Sequence, residues 1–195
     1  MQAQPYVGLE LDATAIKVLA HPLRSRLLSR LRQGGPATAT ELAAALVTNT
    51  GATSYHLRKL ESVGLVSDTG EGQGKRRLWR AATDFHSWTN SAFRDDEDAA
   101  TAQAWLERDY VRQFAERAQG WLDAAPSWPA VWVDELGLDD SRVQVTPPQL
   151  HELRQRLAAV LADYRSGPDD DTARSVSIYV YARPVDTEPP PDAGS

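Results

Sequence analysis

Residues 49–66 read Asn-Thr-Gly-Ala-Thr-Ser-Tyr-His-Leu-Arg-Lys-Leu-Glu-Ser-Val-Gly-Leu-Val, and this stretch determines the fold of the N-terminal part of the chain. Leu57, Leu60 and Val63 recur every three residues, which predicts a helix with one apolar face. Small and polar residues precede them, so the start of this helix offers a polar surface. Gly64 stands where the left-handed residue after a helix belongs. We therefore predict a helix over residues 50–63.

A second, shorter helix is predicted just upstream, over residues 38–46. Thr38 or Thr40 can cap its first turn, because a hydroxyl accepts a hydrogen bond from an otherwise unbonded backbone N–H. Thr38 and Glu41 also have the spacing of a capping box. A short helix, a turn and a second helix crossing the first form a helix-turn-helix unit. The two segments together predict that unit.

An amphipathic helix precedes this unit, and a hairpin follows it. Pro22 suits the first turn of the preceding helix, which glycines 34 and 35 end. Residues 65–81 form two short extended runs around a glycine-rich turn, which predicts a β-hairpin. Its second strand is basic, with Lys75, Arg76, Arg77 and Arg80. A basic hairpin directly after a helix-turn-helix is placed like a wing that reaches phosphates or the minor groove.

Together these motifs resemble the ArsR-type winged-helix transcription regulators of bacteria, over about residues 12–83. The resemblance rests on five runs, namely His-Pro-Leu-Arg, Glu-Leu-Ala, Thr-Ser-Tyr-His-Leu-Arg-Lys-Leu, Val-Gly-Leu-Val and Gly-Lys-Arg-Arg-Leu-Trp-Arg. It implies a homodimeric regulator, more often a repressor, that binds a palindromic operator in double-stranded DNA. Members of this family change their affinity for DNA with a small effector.

The resemblance also assigns DNA contacts, position by position. On the recognition helix these would be Asn49, Thr50, Ser54, Tyr55, Arg58 and Lys59. The wing would contribute Lys75 and Arg76, and Arg24 and Thr40 are candidate phosphate contacts. His56 matches a histidine of the family that either packs the helix or makes one phosphate contact.

The charge distribution agrees with a DNA-binding N-terminal part. Up to Thr83 the chain has eleven Lys or Arg and six Asp or Glu, a net charge of +5. From Asp84 onward it has ten basic and 21 acidic residues, a net charge of −11. DNA affinity depends on local neutralisation of phosphates, so the basic part matters more than the total of −6. The acidic part either orients the molecule by repulsion or simply aids solubility.

A long helix is predicted over about residues 97–124. Acidic residues 95–98 lie at its N-terminus, where the helix dipole favours negative charge. Its apolar stripe consists of Leu106, Tyr110, Phe114, Ala118 and Leu122. Residues 12–20 and 97–122 are the candidate dimer interface that the resemblance implies. The alternative is that the stripe belongs to the core of a single chain.

The rest of the sequence predicts a small strand-helix-strand appendage. Residues 142–145 and 175–183 have strand character, the second because its side chains alternate with period two. Between them, residues 146–149 start a helix with a capping box and two prolines, and its apolar face is expected to be buried. Residues 128–136 are interpreted as a strand-like or irregular link. The aromatic residues of this part either line an apolar effector pocket or fill a core.

The predicted fold class is mainly α with a small β component. The predicted divisions are an N-terminal arm at 1–11, the winged helix-turn-helix at 12–83, a dimerisation or effector domain at 84–186, and a disordered tail at 187–195.

Other functional classes lack a sequence signal. The chain has no cysteine, so it cannot hold a soft metal through thiolates, and neither a metal nor a cofactor is expected. Asp84 and His86 have the spacing of two ligands, but isolated histidines are more often ordinary surface residues. No P-loop or Gly-x-Ser-x-Gly motif occurs, so no enzymatic activity is expected.

Cytoplasmic placement is expected, because residues 1–8 lack the pattern of a signal peptide and no apolar run is long enough for a bilayer.

The alternative function is a winged helix that binds only protein. The polar front of the recognition helix and the basic wing favour DNA, since a protein-binding module would expose apolar residues there.

Overall fold

The computed structural model describes residues 8–72, 76–164, 167–168, 170–186 and 188. Its helices are α1 (Ala13–Leu19), α2 (Pro22–Gly34), α3 (Ala39–Ala45), α4 (Thr50–Glu61), α5 (Glu97–Ala124), α6 (Ala130–Val133) and α7 (Pro147–Asp163). Its strands are β1 (Gly8–Glu10), β2 (Ala37–Thr38), β3 (Val66–Asp68), β4 (Leu78–Ala81) and β5 (Phe85–Ser87). Short 3₁₀ turns occupy Asn90–Phe93 and Ala125–Ser127. None of the helices described is long and apolar enough to span a membrane.

The helix boundaries in the N-terminal part follow the local signals in the sequence. The Thr38 hydroxyl accepts from the Glu41 N–H, and the Glu41 carboxylate accepts from the Thr38 N–H, so the predicted capping box of α3 is formed. Gly35, after α2, and Gly64, after α4, have φ angles of 75° and 72°, which only glycine adopts without strain. α4 ends at Glu61, two residues earlier than predicted.

The wing is part of a three-stranded antiparallel sheet. β4 lies in the middle, with β3 on one side and β2 on the other. Val66 pairs with Ala81, and Ala37 pairs with Trp79, so the sheet joins the wing to the start of α3. A second, parallel pair joins β1 to β5, and the sequence reading of residues 1–11 as an arm did not include this strand.

A single apolar core holds α1 to α4, the wing strands and the first half of α5 together. Ile16, Leu19, Leu57 and Leu60 are fully buried at its centre. Burying a leucine or isoleucine side chain stabilises a fold by about 1.5–3 kcal/mol, so these four positions are a large part of the stability. The Trp79 side chain closes the core beneath the wing.

α5 begins as predicted but divides into two parts. The Asp96 carboxylate caps it by accepting from the Ala99 N–H. Its first half packs on α1, with Ala99, Ala102 and Leu106 buried in this contact, so the intrachain-core alternative accounts for this half of the stripe. Further along, Leu122 is exposed.

The chain divides into two compact units, Met1–Ser141 and Arg142–Ser195. In the second unit the predicted helix is present as α7, and its capping box is formed by Thr146 and Gln149. The face of α7 that was expected to be buried is not buried within the described chain, since Leu157, Val160 and Tyr164 are all exposed.

The strands of the predicted appendage are absent from the described residues. Residues 142–145 and 175–183 do not form strands, and both faces of the second segment are exposed. A strand needs a neighbour to bond its backbone N–H and C=O groups, and alternation of side chains does not supply one. The interpretation of residues 128–136 as strand-like or irregular is also corrected, because they contain the short helix α6.

Candidate nucleic-acid interface

α4 exposes one polar face and buries the opposite one. Thr53, Leu57 and Leu60 are buried at intervals of four and three residues. The predicted contacts Thr50, Tyr55, Arg58 and Lys59 are exposed, and Ser54 is partly exposed. The sequence reading that divided this helix into a polar front and an apolar back is thus the arrangement in the structure.

Three of the predicted contacts also interact with other residues of the helix. The Asn49 side-chain oxygen caps α4 by accepting from the Ala52 N–H at 2.8 Å. Its amide N–H₂ can therefore donate to a phosphate while the oxygen keeps the cap. Tyr55 is 56% exposed, and the Lys59 ammonium lies 5.8 Å from the centre of its ring. This cation–π contact holds an aromatic and a cationic group side by side.

His56 lies on the edge of this face and packs against His21. The two ring centres are 4.4 Å apart, and His56 Nδ1 is buried without a hydrogen bond to any described residue. Burial, followed by the nearby charges of His21 and Arg24, lowers the pKa of His56. A neutral, partly buried ring fits the packing role better than the phosphate contact.

The two candidate phosphate contacts outside α4 differ. The Arg24 side chain is half-buried, and its Nε donates to the Val18 carbonyl at the end of α1. Burial lowers the pKa of Arg24. Thr40 is exposed in the first turn of α3, so its hydroxyl faces solvent near the start of the helix-turn-helix. Of these two, Thr40 is the more accessible to a phosphate.

The wing contains arginines in two different situations. Hydrogen bonds from Thr38, and to a smaller extent the charge of the exposed Arg76, lower the pKa of Glu41. Arg77 forms ion pairs with Glu61 at 3.8 Å and Asp68 at 3.5 Å. Arg77 thus joins the wing to α4, and Arg76 takes no part in these ion pairs.

The wing turn restricts the sequence at one position. A Cβ at Gly72 would collide with the Arg76 carbonyl group, so the turn requires glycine there. The predicted wing contact Lys75 lies outside the described residues.

Sequence reasoning did not anticipate a partly buried cluster of Arg32, Thr83, His86 and Tyr110. Arg32 donates to the Thr83 carbonyl and hydroxyl and to His86 Nδ1 at 2.7 Å, while His86 Nε2 lies 2.6 Å from the Tyr110 hydroxyl. A guanidinium only donates, so Nδ1 accepts and the proton is on Nε2, which donates to Tyr110. Burial, and then the charge of Arg32, lowers the pKa of His86 to about 3.

This cluster bears on the alternative that Asp84 and His86 are metal ligands. Both ring nitrogens of His86 are engaged by Arg32 and Tyr110. No group of three or more His, Cys, Asp or Glu that could hold a metal occurs within the part of the chain that the structure describes. The His86 ring is therefore part of a hydrogen-bonded network within the fold. The one sequence signal for this cluster was Tyr110, which places a hydroxyl in the apolar stripe of α5. A buried tyrosine hydroxyl needs a hydrogen-bond partner.

Residues 19–69 match the family of helix-turn-helix domains, about a quarter of the chain. The matched segment runs from the end of α1 through α2, α3 and α4 to β3, and it includes the exposed face of α4. No curated protein matches the chain. The domain match supports a DNA-binding regulator.

Proposed function

We propose that the chain is a sequence-specific transcription regulator of the ArsR type, which places α4 in the major groove of DNA. The observation that carries the proposal is the polar, accessible face of α4 within a matched helix-turn-helix domain. Arg58 and Asn49 carry the donors that recognise base edges or phosphates on this face. The proposal includes no enzymatic activity.

The wing supplies the contact that is independent of sequence. Arg76 is exposed on it, and Lys75 precedes Arg76 in the chain. Guanidinium and ammonium groups that neutralise phosphates release counterions, so such contacts raise affinity for any DNA and make it depend on salt. Thr40 adds a hydroxyl at the start of α3.

The proposed assembly is a homodimer that represses transcription from a palindromic operator. Two recognition helices would then lie about 34 Å apart, one turn of the DNA helix. Because the first half of α5 is buried on α1, the dimer contact falls on its exposed positions, such as Val111 and Leu122. A small effector other than a soft metal would change the affinity for DNA.

The test is fluorescence anisotropy with duplexes selected from a random library, compared with scrambled duplexes at two salt concentrations. Arg58→Ala is expected to weaken binding to the selected duplex by about 1–3 kcal/mol and to reduce the preference over scrambled DNA. Arg76→Ala is expected to weaken binding to both duplexes equally and to lower the salt slope by about 1.

Arg154→Ala provides the matched control, because Arg154 is an exposed arginine on α7 in the second unit. It should bind both duplexes as the wild type does. Wild-type affinity in both the Arg58 and Arg76 variants would contradict the docking of α4 and the wing. Failure to select any duplex would favour the alternative function, a winged helix that binds protein.

A further inference from the structure

A cleft of about 270 Å³ lies between α2 and α5, away from the exposed face of α4. α2 lines it with Arg26, Ser29 and Arg30, which lie on one face of the helix, and α5 contributes Glu116 and Arg117. Three guanidinium groups thus surround the cleft together with a single carboxylate. The cleft has a local excess of positive charge within a chain whose net charge is −6.

Arg117 is held in place by a chain of hydrogen bonds that leads from the cleft into the interior. Its Nη2 donates to Ser29 Oγ at 2.5 Å and to Gln113 Oε1 at 2.9 Å. Gln113 Nε2 donates in turn to Ser25 Oγ at 2.7 Å and to Asp109 Oδ2 at 2.6 Å. Ser25, Asp109 and Gln113 are all buried. Since these bonds fix the Gln113 amide, they also fix the Arg117 guanidinium, and an oriented guanidinium recognises an anion at a lower entropic cost.

The two arginines of α2 are weakly compensated. Arg26 lies 3.8 Å from Glu116, beyond hydrogen-bond distance, and both side chains are about half exposed. Such pairs stabilise a fold by little. Arg30 has no hydrogen bond or ion pair with any residue in the described ranges. Arg26 and Arg30 lie four apart on α2, where like charges repel. A bound anion would relieve this repulsion.

We propose that this cleft binds a small organic anion through its phosphate or carboxylate groups. Arg30 and Arg26 would contact it from α2, and Arg117 from α5, because planar guanidinium groups match both oxyanions. Leu46, in the turn between α3 and α4, also lines the cleft. An occupant therefore touches both the turn before the recognition helix and the long helix.

The regulatory part of this inference rests on the proposed function. If α4 binds DNA, an anion in the cleft changes the affinity for the selected duplex, and the cleft is then the effector site. The binding of the anion to the protein in the absence of DNA does not depend on that function. The two parts can therefore fail separately.

The first experiment titrates the full chain with citrate and with pyrophosphate by calorimetry, at an ionic strength kept constant with NaCl. We expect saturable binding of one or both anions, and their comparison distinguishes carboxylate from phosphate recognition. Arg30→Gln and Arg26→Gln are each expected to raise the Kd at least tenfold. Arg108→Gln removes an exposed arginine of α5 outside the cleft and should leave the Kd unchanged.

Three results would overturn the anion site. The first is a heat of titration with either anion that is no greater than the heat with NaCl. The second is an unchanged Kd for the anion in Arg30→Gln. The third is a loss of anion affinity in Arg108→Gln equal to that in Arg30→Gln. If Arg30→Gln instead lowers the salt slope of DNA binding and neither anion binds, the arginines contact the DNA backbone.

The second experiment repeats the anisotropy assay with the anion that binds. An unchanged Kd for DNA would overturn the effector role, and loss of DNA binding in all conditions would contradict the proposed function alone.

Discussion

α4 and α7 have similar sequence patterns, but only α4 buries its apolar face. Each starts at a side-chain cap, provided by Asn49 for α4 and by Thr146 with Gln149 for α7, and each has an apolar stripe. Leu57 on α4 is fully buried, whereas Leu157 on α7 is 39% exposed. The difference shows that caps and periodicity are sufficient to specify a helix, but burial requires a complementary surface. α4 finds this surface by packing against α2 and α3, whereas α7 has no buried residue within its own unit.

The largest expected effect comes from shortening the same side chain on each helix. Leu57→Ala should destabilise the first unit by about 2–5 kcal/mol, because it removes a buried side chain and leaves a cavity. Leu157→Ala should change the free energy of unfolding by less than about 0.5 kcal/mol, as substitutions on a surface usually do. Urea denaturation followed by circular dichroism measures both.

The Leu157 variant serves as the control for the Leu57 variant, since the substitution is identical. A loss of more than about 2 kcal/mol in Leu157→Ala would mean that α7 is covered in solution, because only buried leucines cost that much. If that loss grows with protein concentration, the cover is a second copy of the chain. The difference in burial between α4 and α7 would then hold for the single chain but not for the assembly.

Prediction from sequence succeeded where the cause is local. The capping box at Thr38, the glycine at 64 and the three-residue repeat of Leu57 and Leu60 each act within a few residues of the chain. The exposed face of α4 could be predicted for the same reason. The strand predicted at residues 175–183 is absent, because alternation of side chains is a local signal whereas pairing with a neighbouring strand is not.

The buried polar groups of the first unit show the same limit. Asp109 and Gln113 are four apart on α5, and their partner Ser25 is 84 residues from Asp109 in sequence. The available signal was the position of Asp109, three residues after the buried Leu106. A carboxylate inside an apolar stripe needs a hydrogen-bond partner. The identity of that partner depends on how α2 and α5 pack, and neither helix specifies this alone.

The second prediction concerns the pH dependence of the buried interior of the first unit. The pKa of His86 is about 3 in the folded chain, against 6.5 for the ordinary side chain. The unfolded state therefore binds the proton first as pH falls, so the stability due to neutral His86 is complete above pH 6.5 and lost toward pH 3. Going from pH 7 to pH 5 should cost about 2 kcal/mol from this group.

The measurement is urea denaturation at pH 7, 6 and 5 for the wild type and for His86→Gln. The variant should be less stable at pH 7, and its stability should fall less steeply with acid. His21 and His56 also have lowered pKa values, so only the difference between the two proteins isolates His86. Parallel slopes for wild type and His86→Gln would contradict the buried environment of His86.

The smallest expected effect concerns Val47, an exposed apolar residue of the first unit. Val47 has a φ angle of 51° in the turn before α4, and its side chain is 94% exposed. A β-branched residue in the left-handed region is strained by about 1–2 kcal/mol, and exposure means that the side chain recovers little of this by burial. Val47→Gly should therefore stabilise the chain by about 0.5–1 kcal/mol, after the entropic cost of glycine is subtracted.

The same change on α7 should have the opposite sign. Val160 is exposed within a regular helix, so Val160→Gly removes helix propensity without relieving strain and should destabilise α7 by a few tenths of a kcal/mol. Thermal unfolding should show Val47→Gly melting about 1–4 °C above the wild type. A lower melting temperature would instead show that the Val47 side chain is covered in solution. The turn before α4 would then bury apolar surface against another molecule, and exposed apolar residues of both units would need the same explanation.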